Sequence, residues 1–225
     1  LPICCHVYGS FYKSLNDHEI KSIINELSLL VRYADIPVFI NTIHVNRNRD
    51  EAWDHEDDDI NEYLLQIWQV MKDAVERGLN HEGVLPGPLH LPRKASTYNV
   101  KASGYRQSLQ SRGLVYSYAL AVSEENASGG MIVTAPTCGA CGVVPAVLYH
   151  IYKSHNFSDN RIIRALATAG LFGSIVKKNA SISGAEVGCQ GEVGVACAMA
   201  SAAACQIFGG SPAQIEYAAE MGLEH

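Results

Sequence analysis

The sequence predicts a mostly α, multi-helix domain over residues 57–225, preceded by a less regular segment at residues 1–56. Three observations predict it. Residues 57–78 place Ile60, Leu64, Ile67, Trp68, Met71 and Val75 three and four apart, the spacing of one apolar helix face. Ser211-Pro-Ala-Gln214 combines a hydroxyl cap, a proline at the first helical position and a glutamine at the third, which makes a capping box. Alternating strand patterns are confined to short candidates at residues 38–43 and 131–133, too little to build a sheet.

The elements follow in order. The first helix opens on the acids Glu56, Asp57, Asp58, Asp59 and Glu62 and ends near Arg77, charges that oppose the helix dipole, with Gly78 suited to a left-handed cap. The acidic run reads as a helix start, because it lacks the alternating oxygen ligands and central glycine of a calcium loop. Residues 79–93 hold Gly83, Pro86, Gly87, Pro88 and Pro92 and form a shaped loop. Residues 109–122 are apolar enough for a helix, and residues 143–152 give another after the turn-rich Thr134-Ala-Pro-Thr-Cys-Gly-Ala-Cys-Gly142. Ser158 caps a helix carrying Ile162, Ile163, Leu166, Ala169 and Leu171. The uncharged run at residues 193–210 is rich in Ala, contains Ser201 and Gln206, and lacks basic flanks. It reads as a buried core helix rather than a membrane span.

Composition excludes several classes. Only 18% of the residues are charged and 48% are apolar, which argues for a large core and against disorder. The net charge is −6 and no block of Lys and Arg occurs, so there is no electrostatic footprint for nucleic acid. No base follows Lys178, whereas Glu186, Glu192, Glu216, Glu220 and Glu224 do. Leu1-Pro-Ile-Cys-Cys5 lacks the basic leader and apolar stretch of a secretory signal, and a start without Met suggests a fragment. Seven cysteines, an odd number, in a chain of this size do not make a secreted disulfide framework; a reducing cytoplasm fits better.

Three features bear on chemistry. Cys138-x-x-Cys141 has the spacing for zinc, iron–sulfur or redox work, yet no second pair accompanies it, and small core filler is the simpler reading. Cys189, Cys197 and Cys205 recur every eight residues, which on a helix separates neighbours by about 12 Å and about 80° of rotation. Their thiolates cannot meet at one cluster, so at most one of them is a ligand. Ser181-Ile-Ser-Gly-Ala-Glu-Val-Gly-Cys-Gln-Gly-Glu-Val-Gly194 is the most unusual stretch, because Gly184, Gly188, Gly191 and Gly194 each weaken a helix by about 1 kcal/mol relative to Ala. Such glycines serve either tight helix packing or the close approach of a cofactor. Glu186 and Glu192 flank Cys189 there, and acids in so apolar a background need partners, which places Ser183, Glu186 and Glu192 near a substrate or cofactor.

Asn80-His-Glu-Gly-Val-Leu-Pro-Gly-Pro-Leu-His-Leu-Pro-Arg-Lys-Ala-Ser96, Glu124-Glu-Asn-Ala-Ser-Gly-Gly130, Thr134-Ala-Pro-Thr137 and residues 181–194 closely resemble one family. It is the α domain of the bacterial-type, iron–sulfur-dependent L-serine dehydratases (L-serine ammonia-lyases), and the resemblance runs from about Glu51 to His225. It implies a [4Fe–4S] cluster whose iron without a cysteine ligand holds L-serine, assisting loss of the hydroxyl while a base removes the Cα proton, giving pyruvate and ammonia. Cys189 matches the family's first cluster cysteine, the metal and cofactor ligand here; the other family ligands lie beyond His225. The resemblance also implies a β domain or second chain supplying a Ser-rich substrate loop, and a homo-oligomer. By count alone Cys138, Cys141 and Cys189 make three thiolates, but the resemblance assigns only Cys189. A pyridoxal-phosphate dehydratase would need an α/β setting around Lys177 or Lys178, which the sequence lacks. Two alternatives share the helical domain: a related cluster-dependent lyase acting on cysteine, and a truncated non-catalytic domain that only packs against a partner.

Overall fold

A computed structural model describes residues 57–224; the N-terminal segment and the strand candidate at residues 38–43 lie outside them. Within these residues there are seven α-helices and no strand: α1 Asp57–Asn80, α2 Ala95–Ser103, α3 Gln107–Ala127, α4 Val143–His155, α5 Asp159–Asn179, α6 Gly184–Ile207 and α7 Pro212–Leu223. A 3-10 turn, Cys138–Ala140, precedes α4. The mostly α expectation holds, while residues 131–133 form no strand and instead lay Ile132 and Val133 against the core.

The apolar stripe of α1 buries Trp68, Met71, Ala74 and Val75 against residues of α3, α4 and α5. The Trp68 indole donates to Asp159 at 2.8 Å, tying α1 to the first turn of α5. Gly78 is not the end of α1: the helix runs on to Asn80, and Gly78 is buried against α3, where a Cβ would lie 2.3 Å from the Ala121 carbonyl oxygen. It lets two backbones touch.

The loop at residues 81–94 closes through a bridge between Val84 and Pro92. Helix α2, which the sequence did not announce, lacks a capping side chain of its own. Its first amides, Lys94 and Ala95, donate to Glu124 Oε1 on α3 at 2.6 and 3.1 Å. A distant carboxylate therefore satisfies the orphan donors that a local Ser or Asp ordinarily would. Ser158 stands at the N-cap of α5 in extended conformation but makes no side-chain cap bond.

Helix α6 packs chiefly on α5 and α7, and most of its second half is buried, with Ala202 and Ala203 fully covered. No helix among the described residues is long and apolar enough to cross a membrane. At Gly188 the backbone departs from helix to φ 76°, ψ 165°, a conformation open essentially only to glycine, so α6 is two helical pieces joined at a kink. Gly194 faces α7, where a Cβ would come 2.8 Å from the Leu223 carbonyl oxygen; this glycine serves helix packing.

The capping box of α7 forms as the sequence predicts: Ser211 Oγ accepts from Gln214 N at 3.4 Å, and Ser211 N donates to Gln214 Oε1 at 2.8 Å. Ser211→Ala should cost about 1 kcal/mol. In a domain of this size that is a fall in Tm of roughly 2–4 °C, measurable by thermal circular dichroism.

Candidate functional site

The four motifs meet along one seam. Glu125, near the C-terminal end of α3, is a buried carboxylate reached from three directions. Arg77 Nε donates to its Oε2 at 3.0 Å, Arg93 Nη1 to its Oε1 at 3.1 Å, and His81 Nδ1 lies 2.9 Å from the same Oε1. Burial pushes the Glu125 carboxyl up, but hydrogen bonds from His81, Arg77 and Arg93 outweigh it and hold the group below the ordinary value of 4.5. Arg93 also donates to Ser128 Oγ at 2.6 Å and Arg77 to the Met131 carbonyl at 2.5 Å, so the loop after α3 is fastened to the same hub. Beside it an open depression of about 460 Å³ is lined by Asp73, Glu76, Arg77, Asn80 and His81.

From this hub the seam continues to the next motif. Asn126 Nδ2 donates to the Cys138 carbonyl at 3.0 Å. Thr137 Oγ1, one residue earlier, donates to Glu192 Oε1. Glu192 is wedged between two glycines: a Cβ on Gly139 or on Gly184 would lie 2.5 or 2.4 Å from its oxygens. Those glycines make room for a carboxylate, which is then fixed beside the N-terminus of α6, the end that favours negative charge.

The residues named from sequence fall into two groups. Ser183 and Glu192 come together at the start of α6, where Ser183 is the N-cap and its Oγ accepts from Ala185 N at 3.3 Å. Glu186 lies in the first turn of α6 but is exposed, so water solvates it and burial gives no reason for a partner. Cys189 is exposed one residue beyond the kink, whereas Cys197 and Cys205 are partly buried further along α6. Burial pushes the Cys197 thiol up. Cys141 is buried and its thiol is pushed up to about 11, by desolvation first and then by neighbouring Cys138.

No three His, Cys, Asp or Glu side chains among the described residues converge on a point that could hold a metal ion. Cys138, Cys141 and Cys189 therefore do not form a three-thiolate set, and these residues do not by themselves fit a cluster. Cys138 and Cys189 are exposed and Cys141 is buried. Residue-level reading missed Glu125, Arg77, His81, Arg93, Asn126 and Thr137. The signal was present: two adjacent acids, Glu124 and Glu125, follow the apolar-rich run of α3 at residues 114–122, and acids buried there require partners.

The described residues thus make a helical domain in which a polar seam, as well as the apolar core, joins four separate motifs. The chain belongs to the serine dehydratase alpha chain family, whose model matches residues 40–225 and so begins before Glu51. It is 51% identical over 176 residues to L-serine dehydratase 1 of Escherichia coli (strain K12), covering 76% of this chain and 39% of that protein. It is 49% identical over 179 residues to the L-serine dehydratase of Streptomyces coelicolor, covering 78% of this chain and 39% of that protein. The chain thus spans about two fifths of the length of these relatives.

Proposed function

We propose that this chain is the helical domain of an L-serine ammonia-lyase that converts L-serine to pyruvate and ammonia. The observation that carries the reading is the seam itself: the motifs shared with the family hold one another through Glu125, Asn126 and Glu192, and Glu192 stands three residues along α6 from Cys189. In the proposed enzyme Cys189 is the metal ligand this domain contributes to a [4Fe–4S] cluster, the other ligands coming from outside the described residues. Ser183, Glu186 and Glu192 stand on the substrate side. Glu192, immobilised by Thr137 and the two glycines, offers an oriented carboxylate acceptor, and Ser183 a hydroxyl at a helix N-terminus; Glu186 is free to turn toward a ligand from solvent. β-Elimination needs such groups in place, because hydroxide leaves poorly and the Cα proton is weakly acidic. The working enzyme includes a β domain or second chain bearing the substrate loop, is a homo-oligomer and acts in a reducing cytoplasm, which suits its free cysteines.

The test is a protein extended to the length of the relatives, reconstituted anaerobically with iron and sulfide and supplied with L-serine. Pyruvate should appear; Cys189→Ser should lose both iron and turnover, while Cys197→Ala keeps both. Equal loss in the two variants overturns the ligand assignment, and faster turnover of L-cysteine than of L-serine overturns the substrate. The 225-residue chain alone should show helix by circular dichroism and far less than stoichiometric iron.

A further inference from the structure

We propose that Cys138 and Cys141 are a dithiol couple that reacts with low-molecular-weight disulfides and closes to an intramolecular disulfide. The site described above uses the backbone of this motif but neither thiol, and the spacing of the two residues suits a closable pair. Cys138–Ala140 form a 3-10 turn, and Cys141 continues it at φ −59°, ψ −20°. In a 3-10 helix residues three apart are eclipsed, and three rises of about 2.0 Å set their Cα atoms about 6 Å apart. A disulfide spans Cα atoms roughly 4.4–6.8 Å apart, a range that includes this spacing, and closure then needs only a local tightening of the turn to draw the two Cβ atoms together. Only Gly139 and Ala140 lie between the two, and neither has a side chain large enough to obstruct the bond.

Exposure sets the order of events. Cys138 is exposed and Cys141 is buried, so a dissolved disulfide meets Cys138 alone. The Cys138 thiol gives up its proton and its thiolate attacks one sulfur of the small disulfide. A Cys138–sulfur bond forms, the original bond breaks and one small thiolate leaves. Cys141 then attacks the Cys138 sulfur of the mixed disulfide and expels the second small thiolate, which takes up the Cys141 proton. Two protein thiols are oxidised and one small disulfide is reduced to two thiols. Burial, which holds the Cys141 thiol up near 11, makes this second step the slow one; capping Cys138 removes the neighbouring charge that adds to the rise. The turn also adjoins the Thr137–Glu192 contact, but the proposal does not depend on the lyase reading.

The experiment uses the 225-residue chain, held anaerobically in glutathione buffers of rising oxidised fraction, quenched with acid, alkylated and digested with trypsin. No Lys or Arg lies between Arg112 and Lys153, so one peptide carries both cysteines. In the wild-type chain that peptide should pass from doubly alkylated to internally disulfide-bonded. Cys141→Ser should stop at the glutathione adduct on Cys138, and Cys138→Ser should leave Cys141 without an adduct and alkylated after denaturation. The proposal is overturned if the wild-type peptide accumulates the same adduct as Cys141→Ser, or stays doubly alkylated in the most oxidising buffer. Neither result bears on iron content or serine turnover, so the two readings fail separately.

Discussion

Glu125→Gln is expected to lower stability by about 3 kcal/mol at pH 7, the low end of the cost of breaking a buried ion pair by removing one partner. The low end applies because water already reaches two of the three donors: the side chains of Arg77 and His81 are 36% and 57% exposed. Arg93 is different. Its side chain is 9% exposed and would keep its charge with only Ser128 and a neutral amide to receive it. Urea unfolding should show the loss as a lower midpoint, and Tm should fall by roughly 6–12 °C. A loss below about 1 kcal/mol would mean that the hub is solvated rather than buried.

The pH dependence has a definite sign. Because the folded protein holds the Glu125 carboxyl below 4.5, the unfolded chain binds more protons in the interval between the two values. The hub's contribution is complete above about 4.5 and is lost as pH falls through the lower folded value. Glutamine cannot titrate, so the gap between wild type and Glu125→Gln should narrow on acidification below that point. A gap that stays constant down to complete acid unfolding would remove Glu125 as its source.

Gly78→Ala is the second large effect, and two terms oppose each other in it. Alanine is the better helix former by about 1 kcal/mol. Its methyl, however, would sit 2.3–2.7 Å from the carbonyl oxygen, carbonyl carbon and Cα of Ala121, all backbone atoms that no rotamer change can move aside. Helices α1 and α3 would have to separate, and overpacking of that kind costs about 3 kcal/mol. A net loss of about 2 kcal/mol is expected, seen as a Tm lower by roughly 4–8 °C. Ala121→Gly should not rescue it, since the obstruction is the main chain rather than the Ala121 methyl. A stabilised Gly78→Ala protein would show that α1 and α3 do not approach as described.

These residues also show where reading the chain succeeds. The face of α1, the loop of glycines and prolines after it, the capping box of α7 and the buried second half of α6 were all legible. Each is encoded within a few residues, as a period, a breaker or a cap. Helix α2 was not, because the group that caps it, Glu124 Oε1, arrives from α3 about thirty positions along the chain. The candidate site divides the same way. Its motifs and Cys189 were visible as unusual strings, and the structure sets two of the residues singled out in 181–194, Ser183 and Glu192, together at the start of α6. The expected need of Glu186 for a buried partner did not carry over, since whether an acid is solvated depends on what packs over it.

The strings did not show which side chains hold one another. Arg77, His81 and Arg93 reach Glu125 across 32 to 48 positions, and Thr137 reaches Glu192 across 55. Gly78, read as a cap, turned out to be a point of helix contact, and four glycines read together near Cys189 proved to serve different ends: Gly188 bends α6, Gly184 admits Glu192, Gly191 lies against Val187, and Gly194 seats α7. The division has one physical cause. Helix periodicity and capping arise from neighbours along the backbone, so the amino-acid order carries them directly. Close approach, burial and ion pairing arise only once distant helices are packed, because it is the packing that removes water and sets which charges and backbones must share the space.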